Sequence, residues 1–153
     1  MSFMSAQRIT LDTNLLVYAV DTSARDKHAK AQKLVELALK ADCVLTLQAL
    51  GEFYFAVTRK GKLPAAEAKA QIEAWQDLFP VVVAKPSTLN RAIAATVSQQ
   101  LGFWDALLWA TARDAGVTLL LSEDFSGDSV LEGVRIVNPL VHQDLLGLLG
   151  LKR

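Results

Sequence analysis

The sequence predicts an α/β protein: a three-layer α/β/α fold around a central, mostly parallel sheet of four to five strands. Two patterns point there. Short apolar runs of strand length recur along the 153 residues, and the segments between them carry apolar positions at helical spacing. Apolar strands that alternate with helices belong to parallel sheets covered on both faces. A third observation sets the extent: no repeat, low-complexity tract or Pro/Gly/Ser-rich linker interrupts the chain. Residues 1–153 are therefore expected to form one domain.

Arg8–Leu11 opens the series as a short buried strand, followed by a helix over about Thr13–Val20. A second helix, about Asp26–Lys40, gathers Ala31, Leu34, Val35 and Ala38 on one face. Cys43–Leu47 reads as the next strand. Helices follow at about Gln48–Lys60, stopped by Gly61, and Pro64–Leu78, where Pro64 suits a first helical turn. The β-branched run Val81–Ala84, bounded by Pro80 and Pro86, is a third strand. Ser87–Gln100 and Asp105–Ala115 are helices, with Gly102 and Gly116 as stops. Thr118–Ser122 and Val134–Val137 complete the strands, and the tail VHQDLLGLLGLKR reads as a helix weakened by Gly147 and Gly150.

With 52% apolar residues the chain has ample material for a packed core. A single cysteine, Cys43, rules out a disulfide framework within one chain and suits a reducing compartment. The N-terminal MSFMSAQR has no apolar signal-like segment, and no apolar run nears the ~18 residues of a membrane span. A soluble cytoplasmic protein is expected. Sixteen Lys+Arg balance sixteen Asp+Glu, which argues against a broadly basic nucleic-acid binder. It leaves room for a catalyst that touches few phosphates and recruits metal.

Four acids stand at the borders of apolar or helix-forming segments: Asp12 in ITLDTNLLVYAV, Glu52 in LQALGEFYFAV, Asp105 in LGFWDALLWATA and Asp124 in LLLSEDFSGD. A charge bordering a buried segment is costly unless it is paired or holds a metal. Each has an ordinary reading. Asp12 suits a helix cap, although Thr13 and Asn14 are each able to cap. Glu52 suits a solvated helix face, yet its neighbours Gln48, Ala49, Phe55 and Ala56 offer no cation. Asp105 heads a stripe of Leu108, Trp109 and Ala112 that should be buried, so it is a cap or a charge aimed into a prepared pocket. Asp124 lies in a turn-forming stretch, with Glu123 and Asp128 as competitors for any metal role. That stretch is not an EF-hand, because Ser129 and Arg135 occupy the sixth and twelfth positions.

Together the four favour one explanation. In open α/β sheets ligands bind outside the carboxyl ends of the strands. Asp12 follows the first strand, Asp124 the fourth, Glu52 lies one turn into the helix after the second, and Asp105 opens the helix leading to the fourth. Crowded carboxylates repel unless a cation relieves them. Hard divalent ions such as Mg²⁺ or Mn²⁺ take oxygen ligands, water and substrate phosphate. One or two such ions would support in-line phosphodiester cleavage, abolished by chelation. Other templates fail: there is no GxGxxG, P-loop or GxSxG. His28 and His142 lack zinc-like spacing. Arg59, Lys60 and Lys62 form a small basic group, either a solvated helix end or a guide for a nucleic-acid backbone.

The motifs ITLDTNLLVYAVD, GEFYFAVTRKGKL and GFWDALLWATARDAGVTLLLSEDF resemble, in order and spacing, the PIN-domain ribonucleases, specifically VapC-type toxins of toxin–antitoxin pairs. The resemblance implies metal-dependent endonucleolytic RNA cleavage with Mg²⁺ or Mn²⁺, a homodimer, and a small antitoxin whose tail blocks the acidic groove. It implies Asp12, Glu52, Asp105 and Asp124 as the catalytic, metal-holding acids, with Thr13, Asn14 and Ser122 in support. Ser122 stands where the wider family often has Thr. Which of Glu123, Asp124 and Asp128 completes the site stays open. Two rivals are a PIN-like module that only binds partner or RNA, and a Mg²⁺-dependent phosphatase using Asp12 as nucleophile. The latter normally wants a second acid two residues on, where Asn14 stands.

Overall fold

The computed structural model describes residues 7–125 and 128–152. Its first half runs β1 (Arg8–Leu11), α1 (Thr13–Val20), α2 (Asp26–Ala38), β2 (Asp42–Cys43), β3 (Leu45–Thr46), α3 (Leu47–Arg59) and α4 (Ala65–Leu78). The second half runs β4 (Val81–Val82), α5 (Pro86–Gln99), α6 (Phe103–Asp114), β5 (Leu119–Leu121), β6 (Ser129–Leu131), β7 (Val134–Val137) and the one-turn α7 (Leu145–Leu148). Five strands form the main sheet in the order β2-β1-β5-β7-β6. All its pairings are parallel except β6 with β7.

Side chains on a strand alternate between faces, and here each face meets its own helices. Ile9, Leu11, Leu119 and Leu121 pack with the buried residues of α1, α2, α3 and α4. Leu120 and Ile136 face the opposite way, onto Ala92, Ala106 and Trp109 of α5 and α6. The expected three layers are present. Among the described residues no helix is long and apolar enough to cross a membrane. Cys43 is buried, and burial, with the Asp42 charge, pushes its thiol up to about 12, which makes it a poor nucleophile.

Two strand expectations need correction, and one strand lies outside them. The single strand Cys43–Leu47 is broken at Val44, because the chain changes partners there. The Val44 N–H bonds to Ile9 O at 3.0 Å on β1, whereas the Leu45 N–H bonds to Pro80 O at 2.9 Å. Val81–Ala84 shrinks to β4 and pairs with β3 in a separate two-stranded parallel sheet. The edge strand β6 was not anticipated. It forms an antiparallel hairpin with β7 through Glu132 and Gly133, both at positive φ (46° and 83°), the backbone that matches strand twist in a two-residue hairpin.

Helix ends differ as well. The helix expected from Asp105 begins at Phe103 with Gly102 as its N-cap, which places Asp105 within the first turn. The C-terminal helix is reduced to a 3₁₀ turn, Pro139–Val141, and α7. Glycine inside a helix costs about 1 kcal/mol relative to alanine, which keeps that segment short.

Helix α3 is fixed by Phe53, which is fully buried with its ring 4.8 Å from that of Trp75 in edge-to-face geometry. Replacing a buried Phe by Ala typically costs about 3–5 kcal/mol. Phe53→Ala should lower urea-unfolding stability by about that amount. A loss below 1 kcal/mol would show that α3 is not anchored this way.

Candidate metal centre

The site begins where two neighbouring strands end. Leu11 of β1 lies opposite Leu121 of β5, and the ladder runs one bond further, from the Asp12 N–H to Leu121 O at 2.9 Å. Asp12 and Ser122 therefore leave adjacent strands at the same carboxyl edge. The Ser122 hydroxyl donates to Asp12 Oδ2 at 2.6 Å, and the Thr13 N–H to Asp12 Oδ1 at 2.6 Å. The same Ser122 oxygen accepts the Asp124 N–H at 3.1 Å. One hydroxyl thus orders two acids.

Asp105 reaches this point from the first turn of α6, on the stripe of Leu108, Trp109 and Ala112, all of them buried. One carboxylate oxygen each from Asp12, Asp105 and Asp124 lies within 4.8 Å of the other two. Asp12 is buried, Asp105 half-buried and Asp124 exposed. Glu52 stands outside this tight triad but lines the same cleft. The three supporting polar residues are each tied to an acid. Ser122 holds Asp12, the Asn14 amide donates to both oxygens of Asp124 at 3.0 Å, and the Thr13 hydroxyl donates to Glu52 Oε1 at 3.1 Å.

The two alternates point elsewhere. Glu123 accepts from the Tyr18 hydroxyl at 2.6 Å and pairs with Lys27 at 2.7 Å. Partial burial opposes its ionisation, but the hydrogen bonds from Lys27 and Tyr18 hold its carboxyl below the ordinary value. Asp128 pairs with Arg135 at 2.7 Å, beside the β6–β7 hairpin. Asp124 is thus the acid of the three that joins the cluster.

Burial dominates the electrostatics. It pushes the Asp12 carboxyl up to about 6, helped by the charges of Asp124 and Asp105 and opposed by the Ser122 and Thr13 hydrogen bonds. Asp105 is raised by burial first, then by Asp124 and Glu52. A buried carboxylate held among other carboxylates, with oxygen as the only donor type, fits a hard divalent cation. Asp12, Asp105 and Asp124 are the residues that would hold it.

The cleft in front of the acids measures about 460 Å³. Its wall includes Gln48, Phe55, Ala56 and Trp104, with Arg59 and Lys60 from the C-terminal end of α3. Ala49, grouped with Glu52 by spacing, belongs instead to the core. The expected basic group is divided: Lys62 is diverted to Asp21 and Ser23, both at 3.2 Å. Gln48 was not singled out as a site residue in its own right. Its amide donates to Glu52 Oε1 at 3.2 Å and to Trp104 O at 3.0 Å, joining α3 to α6. Its place one turn before Glu52 was the available signal.

The raised Asp12 value has a stability consequence. Its folded pKa of about 6 lies above the ordinary 3.8, so the metal-free fold is favoured below pH 4 and loses stability as pH rises through 6. Asp12→Asn should stabilise the metal-free protein by on the order of 2–3 kcal/mol more at pH 7.5 than at pH 4. Thermal melts of both forms in chelator at the two pH values check this, and an equal increment at both would contradict it.

Comparison with known proteins agrees with this architecture. No curated protein sequence matches the chain. Among solved structures it resembles the sarcin–ricin-loop-cleaving toxin VapC20 of Mycobacterium tuberculosis, with 20% identity, a TM-score of 0.64, and coverage of 83% of this chain and 98% of that one. A toxin–antitoxin complex from Klebsiella pneumoniae matches at 19% identity and TM-score 0.62, covering 86% and 97%. VapBC2 from Rickettsia felis, bound to a promoter DNA fragment, matches at 12% and 0.63, covering 85% and 97%. At these identities the structures establish the shared fold. The PIN-domain family profile matches residues 9–126, and the chain belongs to the PIN-domain family.

Proposed function

We propose that this protein is a metal-dependent endoribonuclease of the VapC toxin type, restrained in the cell by a cognate antitoxin. The observation that carries the proposal is the convergence of Asp12, Asp105 and Asp124, from three separate chain segments, to within 4.8 Å at the carboxyl edge of the sheet. PIN-domain membership and a fold shared with toxins of toxin–antitoxin complexes support it. Mg²⁺ or Mn²⁺, when bound, supplies charge neutralisation and Lewis acidity at the scissile phosphate. The chain's own part is to hold the acids still. Ser122 orients Asp12, Asn14 orients Asp124, and Thr13 with Gln48 orients Glu52 at the margin.

Without the cation the four acids would repel a phosphodiester, so catalysis and RNA binding both depend on it. An open cleft admits a chain rather than enclosing a small molecule, which favours internal cleavage of a polymer. An antitoxin segment would inhibit by filling that cleft. A homodimer fits the exposed apolar stripe Leu89, Ile93 and Val97 on α5.

Purified protein free of antitoxin should cut RNA internally with Mn²⁺ or Mg²⁺ and stop on chelation. Asp12→Asn or Asp105→Asn should lower the rate by at least 100-fold, while Glu123→Gln should stay within about threefold because Glu123 serves the Tyr18–Lys27 cluster. Gel-resolved cleavage rates decide. An Asp12→Asn protein as active as the parent would end the proposal.

A further inference from the structure

The cleft carries features that metal-dependent hydrolysis does not use. Trp104 and Phe55 are large apolar side chains, yet they are 61% and 60% exposed. Both line the cleft that holds the acids, from two different helices. Scattered exposed apolar residues are ordinary, but these two belong to one concave surface with the site.

Trp104 is held as a platform. Its carbonyl accepts from the Gln48 amide at 3.0 Å. The Phe103 ring meets it edge-to-face at 4.9 Å and 71°. The first bond fixes the backbone at Trp104, the Phe103 ring supports the indole, and the exposed indole lines the same cleft as Asp105. Phe55 lies one turn after Glu52 on α3, and the Arg59 guanidinium sits over its ring at 5.4 Å. Arg59 follows Glu52 by seven residues, roughly 10 Å along the helix at 1.5 Å per residue. A cation there is placed for a phosphate beyond the one being cut.

Gly51 adds an independent sign. It lies inside α3, where glycine weakens a helix. Its φ is not positive, and a Cβ placed on it would meet nothing within 4 Å. Neither backbone conformation nor packing calls for a glycine. The space it leaves open is the cleft, and bare helix backbone permits close approach of a ligand.

We propose that Trp104 and Phe55 are base-stacking platforms and that Arg59 binds a flanking phosphate, so that these three side chains seat the nucleotides next to the scissile phosphate. This rests on the ribonuclease reading and adds substrate-binding residues to it. Stacking explains how a chain of zero net charge gains affinity without a broad basic face. Duplex RNA hides its base faces and is excluded.

The protein contains its own reporter. Of three tryptophans, Trp75 and Trp109 are 3% and 0% exposed, whereas Trp104 is open. A short unstructured oligoribonucleotide, titrated into the wild-type protein with Ca²⁺ in place of Mg²⁺ to suppress turnover while keeping the acids neutralised, should quench tryptophan fluorescence. Inorganic polyphosphate and the matching RNA duplex should not. Under the same conditions, Trp104→Ala should weaken oligonucleotide binding about tenfold (one stacked base accounts for roughly 5- to 150-fold), and Trp104→Phe should restore most of it. Gly51→Leu should also weaken binding while the protein melts as a folded domain.

In the otherwise wild-type enzyme, Trp104→Ala should raise KM for single-stranded RNA more than it lowers kcat. Metal-dependent cleavage with no fluorescence change and no effect of Trp104→Ala would overturn the stacking proposal and leave the ribonuclease reading standing. Quenching by a peptide but not by the oligonucleotide would overturn it too, assigning the rim to a protein partner. Absence of both cleavage and oligonucleotide binding would remove the ribonuclease reading and this inference together.

Discussion

The hydrogen bond from Ser122 to Asp12 is the contact on which the site depends. It exists because β1 and β5 are parallel neighbours in register, so the residues after Leu11 and Leu121 emerge side by side. Asp12 is thereby buried at a place where it has no cationic partner among the described residues, and its carboxyl rises to about 6. Burying an ionised carboxylate without compensation costs several kcal/mol. The fold tolerates this because the strand register is set by Ile9, Leu11, Leu119 and Leu121 in the core, not by the acid. The site is a strained charge arrangement mounted on a frame that is stable for other reasons.

From that point outward the polar residues divide the work. Ser122, Asn14 and Thr13 each restrain a different carboxylate, so the acids stay close despite mutual repulsion. Helix α3 contributes in three ways along one face: Gln48 and Glu52 near its start, the open backbone at Gly51, and Phe55 with Arg59 toward its end. Phe53, on the opposite side, anchors the same helix in the core. Stability and function therefore read from different faces of one helix. The acids of the rejected alternates follow the same rule in reverse. Glu123 and Asp128 have cationic partners at 2.7 Å, which satisfies them where they are and removes the need for a metal.

The three layers and the strand–helix order were legible because buried parallel strands are apolar along their length and helices repeat at 3.6. Asp12 and Asp105 were legible for a related reason: each sits at the edge of a segment that must be buried. Other features were not. Val44 changes strand partners between Ile9 and Pro80, a long-range choice that local pattern does not encode. The hairpin strand β6 hid behind polar, turn-forming residues, and Glu132-Gly133 lacks the Asn-Gly or Asp-Gly signature of a two-residue turn, only Gly133 suiting a positive φ. Glu123, Asp124 and Asp128 were indistinguishable by composition. Only the positions of Lys27, Tyr18 and Arg135 separate them, and those lie 7 to 105 residues away in sequence. The exposure of Trp104, in a helix whose other tryptophan is fully buried, likewise follows from which neighbours arrive across the cleft.

The most direct measurement is calorimetric titration of Mn²⁺ into metal-free protein, in buffers of differing ionisation enthalpy at pH 6 and pH 8. Ligand carboxylates must be ionised to hold a metal. With the Asp12 carboxyl near 6, binding should release about half a proton per site at pH 6 and almost none at pH 8, and both the heat and the proton release should disappear in Asp12→Asn. Absence of Mn²⁺ binding, or binding unchanged in Asp12→Asn, would contradict the assignment of this cluster as a metal centre.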